Sequence, residues 1–251
     1  MAKQRSIIKL EGTIGDISFY KSKDGYLARE YSPLSAERIA SDPKFQRTRE
    51  NGEEFGRAAR AGKLLRKALK EVIKQGSDDK MVNRLSGEMV KVIQADQVSI
   101  RGKRNVLDGE LELLSGFNFN ANADLDTVLK MDFSPAIDRS SGAFSINFPA
   151  FDPTKVTECP AGSTHFELIS CAASIDFEAN AIESGLIRSA YLSCKEPVST
   201  TTQLEITLSP NSSKPLFLVL GVLFYQKMNT QYYPLNNGAY NSLCIVKISG
   251  I

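Results

Sequence analysis

The residue pattern of the chain changes abruptly near Ser115. The first 115 residues hold 23 Lys and Arg against 17 Asp and Glu, and their apolar residues recur at helical spacing. The remaining residues hold 8 Lys and Arg against 12 Asp and Glu, and apolar side chains alternate with polar ones as in half-buried strands. We therefore predict an α+β fold with two domains, a basic region at 1–115 and an acidic, β-sandwich-like domain at 116–251.

The basic region begins with a predicted β-hairpin at residues 7–31. Its first strand carries four large side chains, Ile14, Ile17, Phe19 and Tyr20. Residues 22–25 read Ser-Lys-Asp-Gly, and Asp-Gly tolerates the positive φ of a tight turn. Gly12 and Gly15 predict a bend or bulge before the first strand.

An antiparallel helical hairpin is predicted next. Asp42 is a suitable N-cap and Pro43 a suitable first residue for a helix over 43–74. Its apolar face would hold Phe55, Ala58, Gly62, Leu65, Leu69 and Val72. A second helix over 78–97 would turn inward Met81, Val82, Leu85, Met89, Val92 and Ile93. The short connection makes the two helices antiparallel neighbours.

Cations line the opposite face of the first helix, at Arg49, Arg60, Lys63, Lys67, Lys70 and Lys74. Such a row fits a phosphate backbone, and stacking could come from Tyr20, Tyr26 and Tyr31 beside Lys21, Lys23 and Arg29. Four glutamates interrupt the charge, however: Glu50, Glu53, Glu54 and Glu71. Glu53 and Arg57 have the spacing of a helical ion pair. The mixture is equally typical of a solvated helix face.

The acidic domain is predicted to contain seven or eight short strands. Alternating segments include Phe117/Phe119/Ala121, Phe144/Ile146/Phe148, Phe166/Leu168, Ala173/Ile175/Phe177 and Leu204/Ile206/Leu208. Residues 216–225 and 243–248 are continuously apolar, as central strands are. Pro-, Gly- and Asn-rich turns separate these segments. The pattern is typical of a sandwich.

Residues for catalysis are scarce. His165 is the single histidine, and no Walker A, GxGxxG, HExxH or GxSxG pattern occurs. Asp124, Asp126 and Asp132 form an acidic cluster, but the glycine turn and terminal glutamate of a calcium loop are missing. We expect no enzyme activity, no cofactor and no metal.

The four cysteines, Cys159, Cys171, Cys194 and Cys244, form no CxxC pair and are predicted to be reduced and mostly buried. No apolar leader follows Met1, and the longest apolar run is too short to cross a bilayer. We therefore predict a cytoplasmic protein without a membrane partner. Release as part of an assembled particle is the alternative.

Two N-terminal segments carry a resemblance. Residues 12–29 read GTIGDISFYKSKDGYLAR, and residues 42–57 read DPKFQRTRENGEEFGR. Together they resemble a family of uncharacterised Bacteroidota proteins that pair such a hairpin and helix with a variable β-rich C-terminal part. The resemblance covers the N-terminal part of the chain and implies no activity.

Three functions fit these patterns. The first is a structural subunit that assembles with itself into a filament, tube or virion-like particle through a basic-to-acidic contact. The second is a nucleic-acid-associated protein that uses helix 43–74. The third is a carbohydrate- or protein-binding sandwich with a helical adaptor. The predicted interface comprises Gly52, Gly56, Ala59, Lys63, Lys67, Lys70, Tyr20 and Tyr26.

Overall fold

The computed structural model describes residues 2–30 and 35–250. It divides the chain into two compact units, Met1–Arg49 and Glu50–Ile251. Tyr31, one of the tyrosines predicted to stack on nucleic acid, lies outside the described residues. The unit boundary differs from the one predicted after residue 115.

The N-terminal unit contains an antiparallel four-stranded sheet in the order β1-β4-β3-β2. The strands are β1 (Ala2–Lys3), β2 (Gly12–Ile14), β3 (Ile17–Ser22) and β4 (Gly25–Glu30). The predicted hairpin is therefore present as β3 and β4. Ile14 belongs to β2, because Gly15 adopts a φ of 56° and the chain reverses before Ile17.

Short helical segments follow the sheet. Helix α1 (Ala36–Ser41) is capped by the Ser35 side chain, which accepts from the Arg38 amide. Asp42 then caps a 3-10 turn (Pro43–Phe45), with its carboxylate 2.9 Å from the Lys44 amide nitrogen. The predicted N-cap is thus confirmed, although it starts a 3-10 turn that leads into the long helix.

The helical hairpin consists of α2 (Gln46–Ala68), a short α3 (Lys70–Ile73) and α4 (Met81–Gln94). Most of the predicted inward residues are buried, including Leu65, Leu69, Leu85 and Ile93. Two predictions were wrong: Phe55 is 56% exposed, and Val82 is also exposed. Phe55 lies at the margin of the apolar face of α2, where the helix surface turns toward solvent. Val82 lies in the first turn of α4, at the end of the helix.

The rest of the chain is built mainly of strands, with short helices between them. The strands are β5 (Ser134–Asp138), β6 (Ala143–Phe148), β7 (His165–Asp176), β8 (Ala181–Arg188), β9 (Leu192–Ser193), β10 (Thr202–Thr207), β11 (Leu216–Met228), β12 (Gln231–Pro234) and β13 (Ser242–Ser249). The short helices are α5 (Leu125–Val128) and α6 (Pro153–Val156), with 3-10 turns at Leu111–Leu114 and Leu235–Gly238.

These strands form two antiparallel sheets. The smaller sheet has the order β10-β6-β5. In the larger sheet β7 and β11 pair at the centre, β12 and β13 share the free side of β11, and β8 and β9 share the free side of β7. Two predicted strands, one at Phe166/Leu168 and one at Ala173/Ile175/Phe177, are the single strand β7. The segment at Phe117 is not a strand, but its amides and carbonyls bond along β13.

The larger sheet is buried on both faces. Alternate residues of β7, such as Phe166 and Leu168, pack with the smaller sheet in a sandwich core. The residues between them, such as Ile169 and Ile175, pack with the helices in a second core. The C-terminal unit therefore has three layers, namely helices, large sheet and small sheet. The boundary predicted after residue 115 would separate helices and strands that share one core.

Candidate functional site

The predicted helix interface residues lie on one exposed face. Gly52, Gly56, Ala59, Lys63, Lys67 and Lys70 follow one another at intervals of three or four residues, which aligns them along a helix. All six are exposed or half-buried. We call this set the α2 stripe. Its first half is small and uncharged, and its second half is basic.

The glycines of the α2 stripe have open space beside them. A Cβ added to Gly52 would meet no other atom within 4 Å, and one added to Gly56 would meet only the side chain of Arg60, at 3.6 Å. The close helix contact within the chain occurs at Gly62, where an added Cβ would lie 3.6 Å from Met89 Cγ. Gly52 and Gly56 therefore leave room that the described chain does not fill.

Within the part of the chain that the structure describes, the cations on this side of the helices are unpaired. The side chains of Arg60, Lys63, Lys67, Lys70 and Lys74 make no ion pair or hydrogen bond with any described residue. Ion pairs do form nearby: Arg57 and Glu53 lie 3.5 Å apart, as their spacing predicts. Arg49 also differs from the stripe, since its guanidinium donates to the carbonyls of Ile39 and Asp42. The α2 stripe is thus a positive surface free to meet anionic groups.

Other basic residues of the region serve the fold. Glu54 is buried; its carboxylate accepts from the Gly102 amide at 2.8 Å and lies 3.3 Å from Arg104 Nε. Arg57 donates to the carbonyls of Gly102 and Arg104. These bonds hold the loop after α4 against α2. Sequence reasoning missed them, because a salt bridge between segments so far apart leaves no local pattern.

A cleft opens beside this loop. Its volume is about 410 Å³, and its walls include Arg57, Arg60, Asn105, Phe177 and Asn180. Arg60 is the unpaired cation at this position. The charged wall residues of the cleft are Arg57, Arg60 and Glu178.

The N-terminal sheet is the second candidate surface. None of the described residues in Met1–Arg49 is buried. The strand register places Ala2, Ile14, Ile17, Phe19 and Ala28 on one face, together with Tyr26, Lys21 and Glu30. The charged pair lies toward the ends of the strands, so the centre of this face is apolar. Ile14 is 63% exposed and Ile17 46% exposed. Apolar side chains stabilise a fold when a second layer removes them from water.

Tyr20 and Tyr26, two of the three tyrosines expected to add stacking, do not share a face of the sheet. Tyr20 pairs with Leu27 and Tyr26 pairs with Lys21, so the two tyrosines lie on opposite faces of the sheet. Each ring is also approached by a cation, Arg29 at 5.4 Å from Tyr20 and Lys21 at 5.6 Å from Tyr26. Tyr20 and Tyr26 therefore do not offer two adjacent bare rings to stack on bases.

His165 is enclosed by its neighbours. It is half-buried; Nδ1 lies 2.9 Å from Thr164 Oγ1, and its ring packs edge-on against Tyr232 at 5.1 Å. Burial lowers the pKa of this imidazole, and the charge of Lys227 lowers it further. Asp124, Asp126 and Asp132 belong to no cluster of three potential metal ligands in the described part of the chain.

No protein-family model, curated protein or solved structure matches the chain. No helix among the described residues is both long enough and apolar enough to cross a membrane. The α2 stripe and the apolar face of the N-terminal sheet are therefore the features on which a functional proposal rests.

Proposed function

We propose that this protein is a non-enzymatic structural subunit that assembles with copies of itself into a homo-oligomer. The observation that carries the proposal is the N-terminal sheet, which has an apolar face and no buried residue among those described. An apolar sheet face that is exposed to water gains stability when a second layer covers it. Another copy of the chain supplies that layer.

Charge supports a contact between unlike surfaces of two copies. Residues 1–49 hold ten Lys and Arg against six Asp and Glu, whereas residues 116–251 hold eight against twelve. A basic-to-acidic contact is heterologous, so repetition closes a ring or extends as a filament, tube or virion-like particle. Exposed ion pairs contribute only about 0–1 kcal/mol each, so burial of apolar surface supplies most of the affinity. The four free cysteines favour assembly in the cytoplasm.

The first test replaces the exposed apolar pair of the sheet. The double variant Ile14→Lys/Ile17→Lys should shift the full-length protein toward monomer in light scattering, because it charges the apolar face. Val98→Lys is the matched control, since Val98 is 80% exposed and lies outside the sheet. A wild-type monomer at high concentration and low salt would overturn the proposal, as would equal assembly of the double variant.

The second test concerns the α2 stripe. Lys63→Glu/Lys67→Glu/Lys70→Glu should weaken association more than it changes the free energy of unfolding, because these side chains have no partners among the described residues. Urea unfolding of the same samples provides the comparison. Unchanged assembly would remove the α2 stripe from the interface while leaving the N-terminal sheet in it.

Nucleic-acid binding is the second candidate function, favoured by the row of unpaired cations on α2 and α3. Its signature is an affinity for single- or double-stranded DNA or RNA that falls steeply with salt and is lost in the triple glutamate variant. Binding with this signature by a protein that stays monomeric would favour this candidate over self-assembly.

A further inference from the structure

Two cysteines meet at one end of the sandwich, although they lie far apart in the sequence. Cys194 follows β9, and its amide donates to the Thr164 carbonyl at 3.0 Å, just before β7. Cys159 precedes a tight turn in which the Ser163 amide donates to the Pro160 carbonyl, also at 3.0 Å. These bonds bring together the segments that carry the two cysteines, and both side chains pack in one apolar cluster. Each thiol is the largest influence on the pKa of the other.

Ser163 lies beside both cysteines. Its hydroxyl lies 3.7 Å from Cys194 Sγ and also interacts with the Cys159 thiol. Cys159 is half-buried, so small solutes reach the pair from its side, whereas Cys194 packs in the sandwich core. The Cys159 thiol, with help from Ser163 and Lys195, lowers the pKa of Cys194 to about 7.

The other two cysteines provide a contrast. Cys171 and Cys244 are buried, and each thiol bonds only to a neighbouring backbone carbonyl. Burial raises the pKa of each to about 12. Neither has a second thiol beside it, so both behave as small apolar core residues.

We propose that Cys159 and Cys194 are an oxidisable dithiol that hydrogen peroxide converts into a reversible disulfide. In the first step the Cys194 thiolate attacks one peroxide oxygen; an S–O bond forms, the O–O bond breaks, and the departing hydroxide takes a proton to become water. Cys159 sulfur then attacks the sulfenic acid of Cys194. The S–S bond forms, the S–O bond breaks, and hydroxide leaves with the Cys159 proton as a second water. The two thiols lose two electrons, and the peroxide gains them.

The disulfide joins the segment before β7 to the residue that follows β9. It links two loops at one end of the sandwich. Neither the N-terminal sheet nor the α2 stripe contributes a residue to the pair. The inference is therefore independent of the proposed self-assembly.

The test treats the full-length protein with hydrogen peroxide, blocks the remaining thiols by alkylation, and analyses peptides by mass spectrometry. A Cys159–Cys194 cross-linked peptide should appear, and dithiothreitol should remove it. Cys171→Ser/Cys244→Ser is the matched control and should form the same cross-link at the same rate. Two alkylated thiols at Cys159 and Cys194 after peroxide treatment would overturn the proposal.

Single variants separate the two roles. In Cys159→Ser the Cys194 sulfenic acid has no resolving thiol and should accumulate as an adduct with dimedone. In Cys194→Ser the remaining Cys159 should give far less of this adduct. Equal labelling of the two variants would contradict the assigned order of attack. A disulfide between chains in place of the internal one would show that Cys159 and Cys194 are not an oxidisable pair within one chain.

Discussion

A buried carboxylate holds the loop that follows α4. Asp96 accepts from three backbone amides, those of Val98, Ser99 and Asn105, at 2.8–3.1 Å. Burial by itself raises the pKa of this carboxyl group, but the three amide bonds together outweigh burial and the pKa is lowered. The carboxylate thus accepts the amide hydrogen bonds that a helix or strand would otherwise satisfy.

Acid should therefore weaken the folded state through Asp96. Because the folded-state pKa lies below the ordinary value of 3.8, the stabilisation is complete above that value and is lost as the pH falls through the folded-state pKa. We expect Asp96→Asn to lower the free energy of unfolding by about 1–3 kcal/mol near neutral pH and to flatten its decline in acid.

Urea unfolding across this pH range measures the effect of Asp96→Asn. Asp79→Asn, at an exposed carboxylate that bonds to no described side chain, is the matched control and should leave the curve unchanged. Parallel pH curves for wild type and Asp96→Asn would contradict the assignment.

At the scale of elements, the glycines of α2 have different surroundings. Gly62 faces α4 at Met89 and Leu85, whereas Gly52 faces open space. Both lie in the same helix, and glycine at either position lowers the free energy of unfolding relative to alanine. The reason is that glycine loses more backbone entropy on folding. Only Gly62 also has a neighbouring helix that limits the size of its side chain.

Alanine should be tolerated at both positions. Gly52→Ala and Gly62→Ala should each raise the free energy of unfolding by up to about 1 kcal/mol, since an added Cβ at Gly62 meets Met89 at an ordinary contact distance. Gly62→Leu should lower it by about 1–3 kcal/mol through overpacking. Chemical unfolding monitored by circular dichroism tests all three variants. A destabilised Gly62→Ala would show that the contact with α4 is tighter than the structure has it.

The whole C-terminal unit depends on its three layers. The large sheet has one face in the sandwich core and the other in the core that it shares with α2 and α4. Removal of the helices exposes buried residues such as Ile169, Phe217 and Ile245. The helical layer therefore covers a face of the large sheet that would otherwise be exposed to water.

A fragment of residues 116–251 should not reach a stable native fold, although the residue pattern predicts a separable domain. Residues 50–251 keep both cores and should fold. Circular dichroism and one-dimensional NMR of the two fragments test this expectation. Dispersed amide signals and a cooperative thermal transition in 116–251 would contradict it, whereas the same result for 50–251 is expected.

Local periodicity determined the element types in this protein. The helical face of α2 and α4 and the alternation in β6 and β10 follow from side chains that must share one buried surface. The Asp42 cap, the turn at residues 22–25 and the positive stripe are likewise properties of neighbouring residues. These features could be predicted because each depends on contacts within a few positions along the chain.

Only the tertiary structure decided how those elements share their surfaces. The apolar runs in β7 and β11 predict burial but do not say that helices cover one face and strands the other. The Glu54–Arg104 contact and the Cys159–Cys194 pair join residues far apart in sequence. Helical spacing places Gly62, but not Gly52, on the apolar face of α2, and only the position of α4 decides that Gly62 contacts Met89. Such contacts are set by the packing of distant segments, which no short-range pattern encodes.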